Sequence, residues 1–155
     1  MGESGIGLRS TNSSLLRFLL SGCLCGGLIM NTPPFSMTGR RAHYDLDAWK
    51  ISRKLVGEIY RLTQTFPKAE LFGLVAQMRR ASVSIPSNIA EGAARTSSRE
   101  YAQFLNVARG SLSELETQVF IATDLGYISS DHPIFSIIDR ASKLITGLHK
   151  AIRNR

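Results

Sequence analysis

A chain of 155 residues has room for one ordinary domain and not two comfortable ones, and an apolar share of 43% excludes global disorder. A net charge of +7 makes polyanions, nucleic acid first among them, the partner class to consider. The two cysteines, Cys23 and Cys25, leave the rest of the chain with none, which excludes a disulfide-stapled secreted module for the domain and fits a reducing cytoplasm.

Residues 1–40 read differently from the remainder. They are rich in Ser, Gly and Asn, then apolar from Leu15 to Met30, then broken at Pro33-Pro34. The apolar run is interrupted by Arg17 and by small residues, and falls short of the roughly 20 residues of a membrane span. Leu20-Ser21-Gly22-Cys23 resembles a lipoprotein cleavage box, but the stretch from Leu15 to Leu20 is poor as the core of an export signal. The expectation is a disordered tail or an extension upstream of a start at Met30 or Met37. Cys23-x-Cys25 alone is a poor zinc site, because zinc takes about four ligands. From Arg41 onward 16 lysines and arginines face 11 carboxylates, so the basic character belongs to the domain, at +5.

The first helix is expected from Leu46 to Thr65, capped by Asp45, with Tyr44 and Trp49 at hydrophobic-staple positions. Trp49, Val56, Ile59 and Leu62, with Leu55 beside them, repeat at helical spacing, and Phe66-Pro67 ends the run. The second is expected from Glu70 to Ala94, on a stripe of Leu71, Leu74, Met78, Ala81 and Ile85. Pro86 lies inside it and predicts a kink, because Ile89 continues the stripe; two shorter helices are the alternative.

Ser97-x-x-Glu100 is a capping box for a third helix from Ser98 to Leu125. Tyr101, Phe104, Leu105, Ala108, Leu112, Leu115, Val119 and Ala122 form its stripe, and Gly126 is placed to stop it. The fourth is expected from Pro133 to Arg153, capped by Ser130 or Asp131. Its buried face is Ile134, Ile137, Ile138, Ala141, Leu144, Ile145, Leu148 and Ile152. With short connections and no strand-like alternation, the fold class is all-α, an antiparallel up-down four-helix bundle over residues 44–153.

The second helix carries a further stripe. Ala76, Val83 and Ala90 recur every seven residues on another face, and small side chains at that spacing allow close helix approach. The expectation is contact with another subunit; burial inside one chain is the alternative.

Little points to catalysis. His43, His132 and His149 are far apart and fit no HExxH or ExxH pattern, so they read as surface residues near helix ends. Glu91, Glu114 and Glu116 read as ion-pair partners of Arg79, Arg80, Arg95 and Arg109 rather than as acid–base groups. An enzyme using a carboxylate–Asn site around Asn88 and Glu91 is the third and weakest alternative. No phosphate-binding Gly loop and no G-x-S-x-G elbow occurs. No cofactor or metal is expected. Arg79, Arg80, Arg95, Arg99 and Arg109 are the candidate nucleic-acid contacts, since guanidinium groups suit bidentate phosphate binding.

Gln77 to Gly92, reading QMRRASVSIPSNIAEG, resembles the hallmark of the bacterial four helix bundle protein family. Its members include proteins encoded in intervening sequences of 23S ribosomal RNA genes, and the accessory proteins of diversity-generating retroelements are relatives. Asp45 to Lys50, Phe66 to Glu70 and Phe104 to Thr117 match in order and spacing; residues 1–40 have no counterpart. The resemblance implies a ring-like homopentamer without enzymatic activity. It implies a basic surface that in the retroelement relatives binds nucleic acid and a reverse transcriptase. The expected protein is therefore cytoplasmic and non-membrane, an oligomer binding RNA or DNA through arginines, or else a pure protein-interaction scaffold.

Overall fold

The computed structural model describes residues 41–154, and the expectations for residues 1–40 lie outside the described residues. Four helices make up the fold: α1 (Asp47–Leu62), α2 (Leu74–Ala93), α3 (Ser98–Asp124) and α4 (Ile134–Arg153). Single 3-10 turns at Ala42–Asp45 and Lys68–Glu70 precede α1 and α2. No strand occurs among the described residues.

Each helix packs on its chain neighbours, α4 closes back on α1, and the diagonal pairs do not touch. The sense is antiparallel throughout. The end of α1 meets the start of α2 where Arg79 Nε donates to Thr63 Oγ1 at 2.9 Å. The end of α2 meets the start of α3 at Gly92 and Tyr101. The end of α3 meets the start of α4 where the rings of Phe120 and Phe135 lie 5.5 Å apart.

The core runs along the axis from all four helices. Its fully buried large side chains include Leu55 and Ile59 of α1, Met78, Ile85 and Ile89 of α2, Leu105, Leu115 and Val119 of α3, and Ile134 and Ile145 of α4. Ser52 and Ser82 are buried among them. Each hydroxyl donates back to its own helix, Ser52 to the Ala48 carbonyl at 2.6 Å and Ser82 to that of Arg79 at 2.8 Å, so neither leaves a polar group unmet.

The helix ends differ from expectation for local reasons. Asp45 does not cap α1: it lies in the 3-10 turn, and the cap position falls on Leu46, in extended conformation and without a side-chain bond. The entering chain is held instead by aromatic contact, with His43 4.9 Å and Tyr44 5.5 Å from the Trp49 ring. The buried face of α1 accordingly centres on Ala48, Ser52, Leu55 and Ile59, with Trp49 and Leu62 half-buried. Helix α1 stops at Leu62, short of Thr65, and the Thr63 hydroxyl bonds the Ile59 carbonyl at 2.8 Å.

Helix α2 starts at Leu74 rather than Glu70. The Glu70 carboxylate accepts from the Leu74 N–H at 3.2 Å, which turns the chain at Gly73 and leaves Leu71 outside the stripe and exposed. At Pro86 the helix is unbroken and continues to Ala93, with the proline ring buried. The alternative of two separate helices does not hold.

Helix α3 has the expected start, with Ser97 Oγ accepting from the Glu100 N–H at 3.5 Å. It ends in a Schellman motif. Tyr127 N–H donates to the Ala122 carbonyl at 2.8 Å and Gly126 N–H to that of Thr123 at 2.9 Å. Gly126 takes the required left-handed conformation, φ +75°. At the start of α4 neither Ser130 nor Asp131 is the cap. Asp131 is taken by the Ser129 hydroxyl, and His132 Nδ1 accepts from the Ile134 N–H at 3.1 Å. The Ser129 bond also holds the Asp131 carboxyl below its usual range.

No helix among the described residues is long and apolar enough to cross a membrane.

Candidate nucleic-acid interface

The five arginines singled out in the sequence do not form one patch. Arg79 is half-buried near the start of α2, bonded to Thr63 and with its guanidinium 4.8 Å from the Tyr60 ring centre. Arg80, next to it, is exposed and donates to Gln77 Oε1. Arg95 lies just past the opposite end of α2, roughly 24 Å along the axis. It ion-pairs with Glu91 at 2.8 Å and lies over the Phe104 ring. Arg79 and Arg95 are thus engaged within the chain, whereas Arg99 makes no ion pair among the described residues.

Arg99 and Arg109 come together on one side of the bundle. They line an open cleft of about 550 Å³ between the first half of α3 and the last turns of α4. Ser98, Ala102, Gln103 and Asn106 complete the α3 wall, and His149, Ile152 and Arg153 form the α4 wall. Positions 99, 102, 103, 106 and 109 recur at three- and four-residue intervals, so one helix face carries them. The antiparallel packing then brings Arg153 opposite. Three guanidinium groups and two side-chain amides share this wall, and no carboxylate is among its lining residues. Further along the same groove Arg109 and Asn106 also border a second, smaller hollow that includes Glu116.

Two members of the cleft escaped the sequence reading. Arg153 belongs to the far end of the chain and joins Arg99 and Arg109 only through the fold. His149, read as a surface residue, is 6% exposed and belongs to the buried face of α4. Its place in the buried stripe, four residues after Ile145 and three before Ile152, was the available signal. Its Nε2 is buried with no hydrogen-bond partner. Burial, then the charges of Arg109 and Arg153, push its pKa below the ordinary histidine value. His43 is also lowered, by burial and by Arg41.

The carboxylates have mixed fates. Glu91 pairs with Arg95 as expected, while Glu114 accepts from Gln118 Nε2 at 3.1 Å and not from an arginine. Asn88 turns its amide to the Ser84 carbonyl at 2.8 Å, and no His, Cys, Asp or Glu trio among the described residues is placed to hold a metal.

The stripe proposed for assembly is left largely uncovered by the described residues. Ala76 is exposed, Val83 is 42% exposed and Ala90 is half-buried. The alternative, burial on both sides within one chain, therefore fails for Ala76 and Val83. At the start of the same helix Phe72 stands 91% exposed beside Leu71.

An all-helical four-helix protein with a basic groove is the class these features define. The family model described as 23S rRNA-intervening sequence protein matches residues 44–147. The chain belongs to that family. No curated protein matches it.

Proposed function

We propose that the chain is a non-enzymatic bundle that assembles with copies of itself and binds RNA or DNA through the basic groove between α3 and α4. The observation behind this reading is the convergence of Arg99, Arg109 and Arg153 on a cleft wall that lacks carboxylates. Guanidinium groups spaced along a groove match a run of backbone phosphates, and each neutralised phosphate releases counterions. Arg79, Arg80 and Arg95 lie elsewhere on the bundle and are assigned lesser roles.

Self-assembly, with a ring of five as the proposed form, is supported by the exposed Ala76 and Val83 on α2 and by the exposed Leu71 and Phe72 just before it. A second copy is the occupant such a stripe of small and apolar residues fits best. The direct test is retention of the purified chain on immobilised single-stranded RNA, with sedimentation of the same sample. Retention at about 50 mM salt that is lost as salt rises is expected, along with an oligomer that V83E dissociates. A monomer, or no retention at low salt, contradicts the corresponding half.

A scaffold that binds only proteins is the second reading. Its support is the exposed apolar group Phe120, Ile121 and Leu125 at the far end of α3, away from the arginine cleft. An oligomer with no affinity for RNA or DNA at any salt selects it.

A further inference from the structure

His149 is the one member of the cleft whose state the bundle does not account for. A buried polar atom left without a partner is destabilising, and Nε2 is such an atom. Hydrophobic packing of α4 alone would be served as well by a leucine at this position. The unpaired nitrogen lies on a residue that lines the cleft wall, with Arg153 one turn on along α4 and Arg109 across on α3. These two are also the charged groups that bear on its titration.

We propose that the cleft is a seat for a single phosphate group, gripped by Arg109 and Arg153, with the Nε2–H of His149 as the buried donor beneath. This deepens the reading above and rests on it for the natural source of the phosphate. Asn106 and Gln103 supply neutral donors on the α3 wall. Arg109 and Arg153 are exposed and make no ion pair with a carboxylate among the described residues, and Arg109 donates a long bond of 3.5 Å to Asn106 Oδ1, so an anion entering the cleft breaks no ion pair. In the neutral imidazole the Nε2–H tautomer donates to a phosphate oxygen; in the protonated one it donates and adds a positive charge. The anion also offsets the two guanidinium charges that, after burial, lower the pKa of His149. Phosphate binding and proton uptake at His149 therefore favour each other.

The test is a ¹⁵N-histidine NMR titration of the full chain in phosphate and in chloride at matched ionic strength, with H149F used to assign the resonances. Phosphate is expected to move the His149 titration midpoint upward and to shift Nε2 saturably. R109Q, at an exposed position whose one intrachain bond is the long contact to Asn106, is expected to weaken phosphate by roughly tenfold, the scale of one charge-assisted hydrogen bond. Identical His149 titrations in the two salts, or an unchanged phosphate affinity in R109Q, overturn the proposal. A parallel arm with single-stranded RNA separates the sources. RNA retention without any response of His149 to phosphate or RNA overturns the seat and leaves the nucleic-acid reading standing. A His149 response to phosphate with no RNA retention at about 50 mM salt supports the seat as a site for free phosphate and removes the nucleic-acid reading.

Discussion

Gly92, in the last turn of α2, lies flat against the ring of Tyr101 in the first turns of α3. A β-carbon built on Gly92 would fall 2.6 Å from Tyr101 Cδ2 and 2.9 Å from Phe104 Cβ. The Tyr101 ring could turn aside; the Phe104 Cβ moves only with the α3 backbone. This contact sets how closely α2 and α3 approach at the end of the bundle where the arginine cleft opens.

G92A should therefore destabilise the fold. Forcing a methyl into a packed contact costs about 1–3 kcal/mol. The roughly 1 kcal/mol that alanine gains over glycine within a helix offsets only part of it. Urea unfolding is expected to show a net loss of up to about 2 kcal/mol. Gly147, exposed on α4 with nothing within 4 Å of its would-be β-carbon, is the control: G147A should stabilise by about 0.5–1 kcal/mol. The opposite signs follow from what each glycine faces.

Gly126 tests the end of α3. Its φ of +75° is the left-handed conformation that lets two successive N–H groups reach back to the Thr123 and Ala122 carbonyls. Open space surrounds it, so a side chain meets no clash and only the backbone is strained. G126A is expected to cost about 1–2 kcal/mol in thermal or urea unfolding, with little effect on RNA retention.

His149 gives stability a pH dependence of fixed sign. Its pKa in the folded chain is lowered from 6.5, so below that pH the unfolded chain takes up the proton before the native one does. Its contribution is full above 6.5 and is lost as pH falls from there through the lower folded value. His43, lowered in the same direction, adds to the trend. Urea unfolding of wild type from about pH 8 down to about pH 5 should show stability falling, and H149F should show a shallower fall. A parallel decline in the two chains contradicts the assignment of this slope to His149.

Much of the bundle was legible in the sequence. The stripes of α3 and α4 placed Leu105, Leu112, Leu115, Ile138, Ala141 and Ile145 inside, where they are. Ser97 and Gly126 marked the ends of α3 because their signals are local, a hydroxyl three residues from an N–H and a residue free to take positive φ. The misplaced ends of α1 and α2 turned on local side-chain contacts that residue spacing alone does not rank. Asp45 lost the cap to an aromatic cluster, and Glu70 became a partner of the next helix rather than its first residue. The cleft was half-legible: Arg99 and Arg109 were singled out, but Arg153 and His149 join them only because α4 folds back antiparallel. Polar identity concealed His149, since a histidine within an apolar stripe is read as an exception until its neighbours are placed. Arg79 and Arg80 stand at the opposite end of α2 from Arg95, a separation that grouping by charge alone ignores.

The salt dependence of RNA affinity, compared between wild type and the triple variant R99Q/R109Q/R153Q, bears most directly on the groove. For single strands the slope of log affinity against log salt is about 0.7 per phosphate contact, so removing three contacts should flatten it by about 2. A flattened slope with weaker binding at low salt, in a triple variant that unfolds like wild type, is the expected result. An unchanged slope, or a wild-type chain that holds no RNA at about 50 mM salt, contradicts the assignment of the α3–α4 cleft as a nucleic-acid interface.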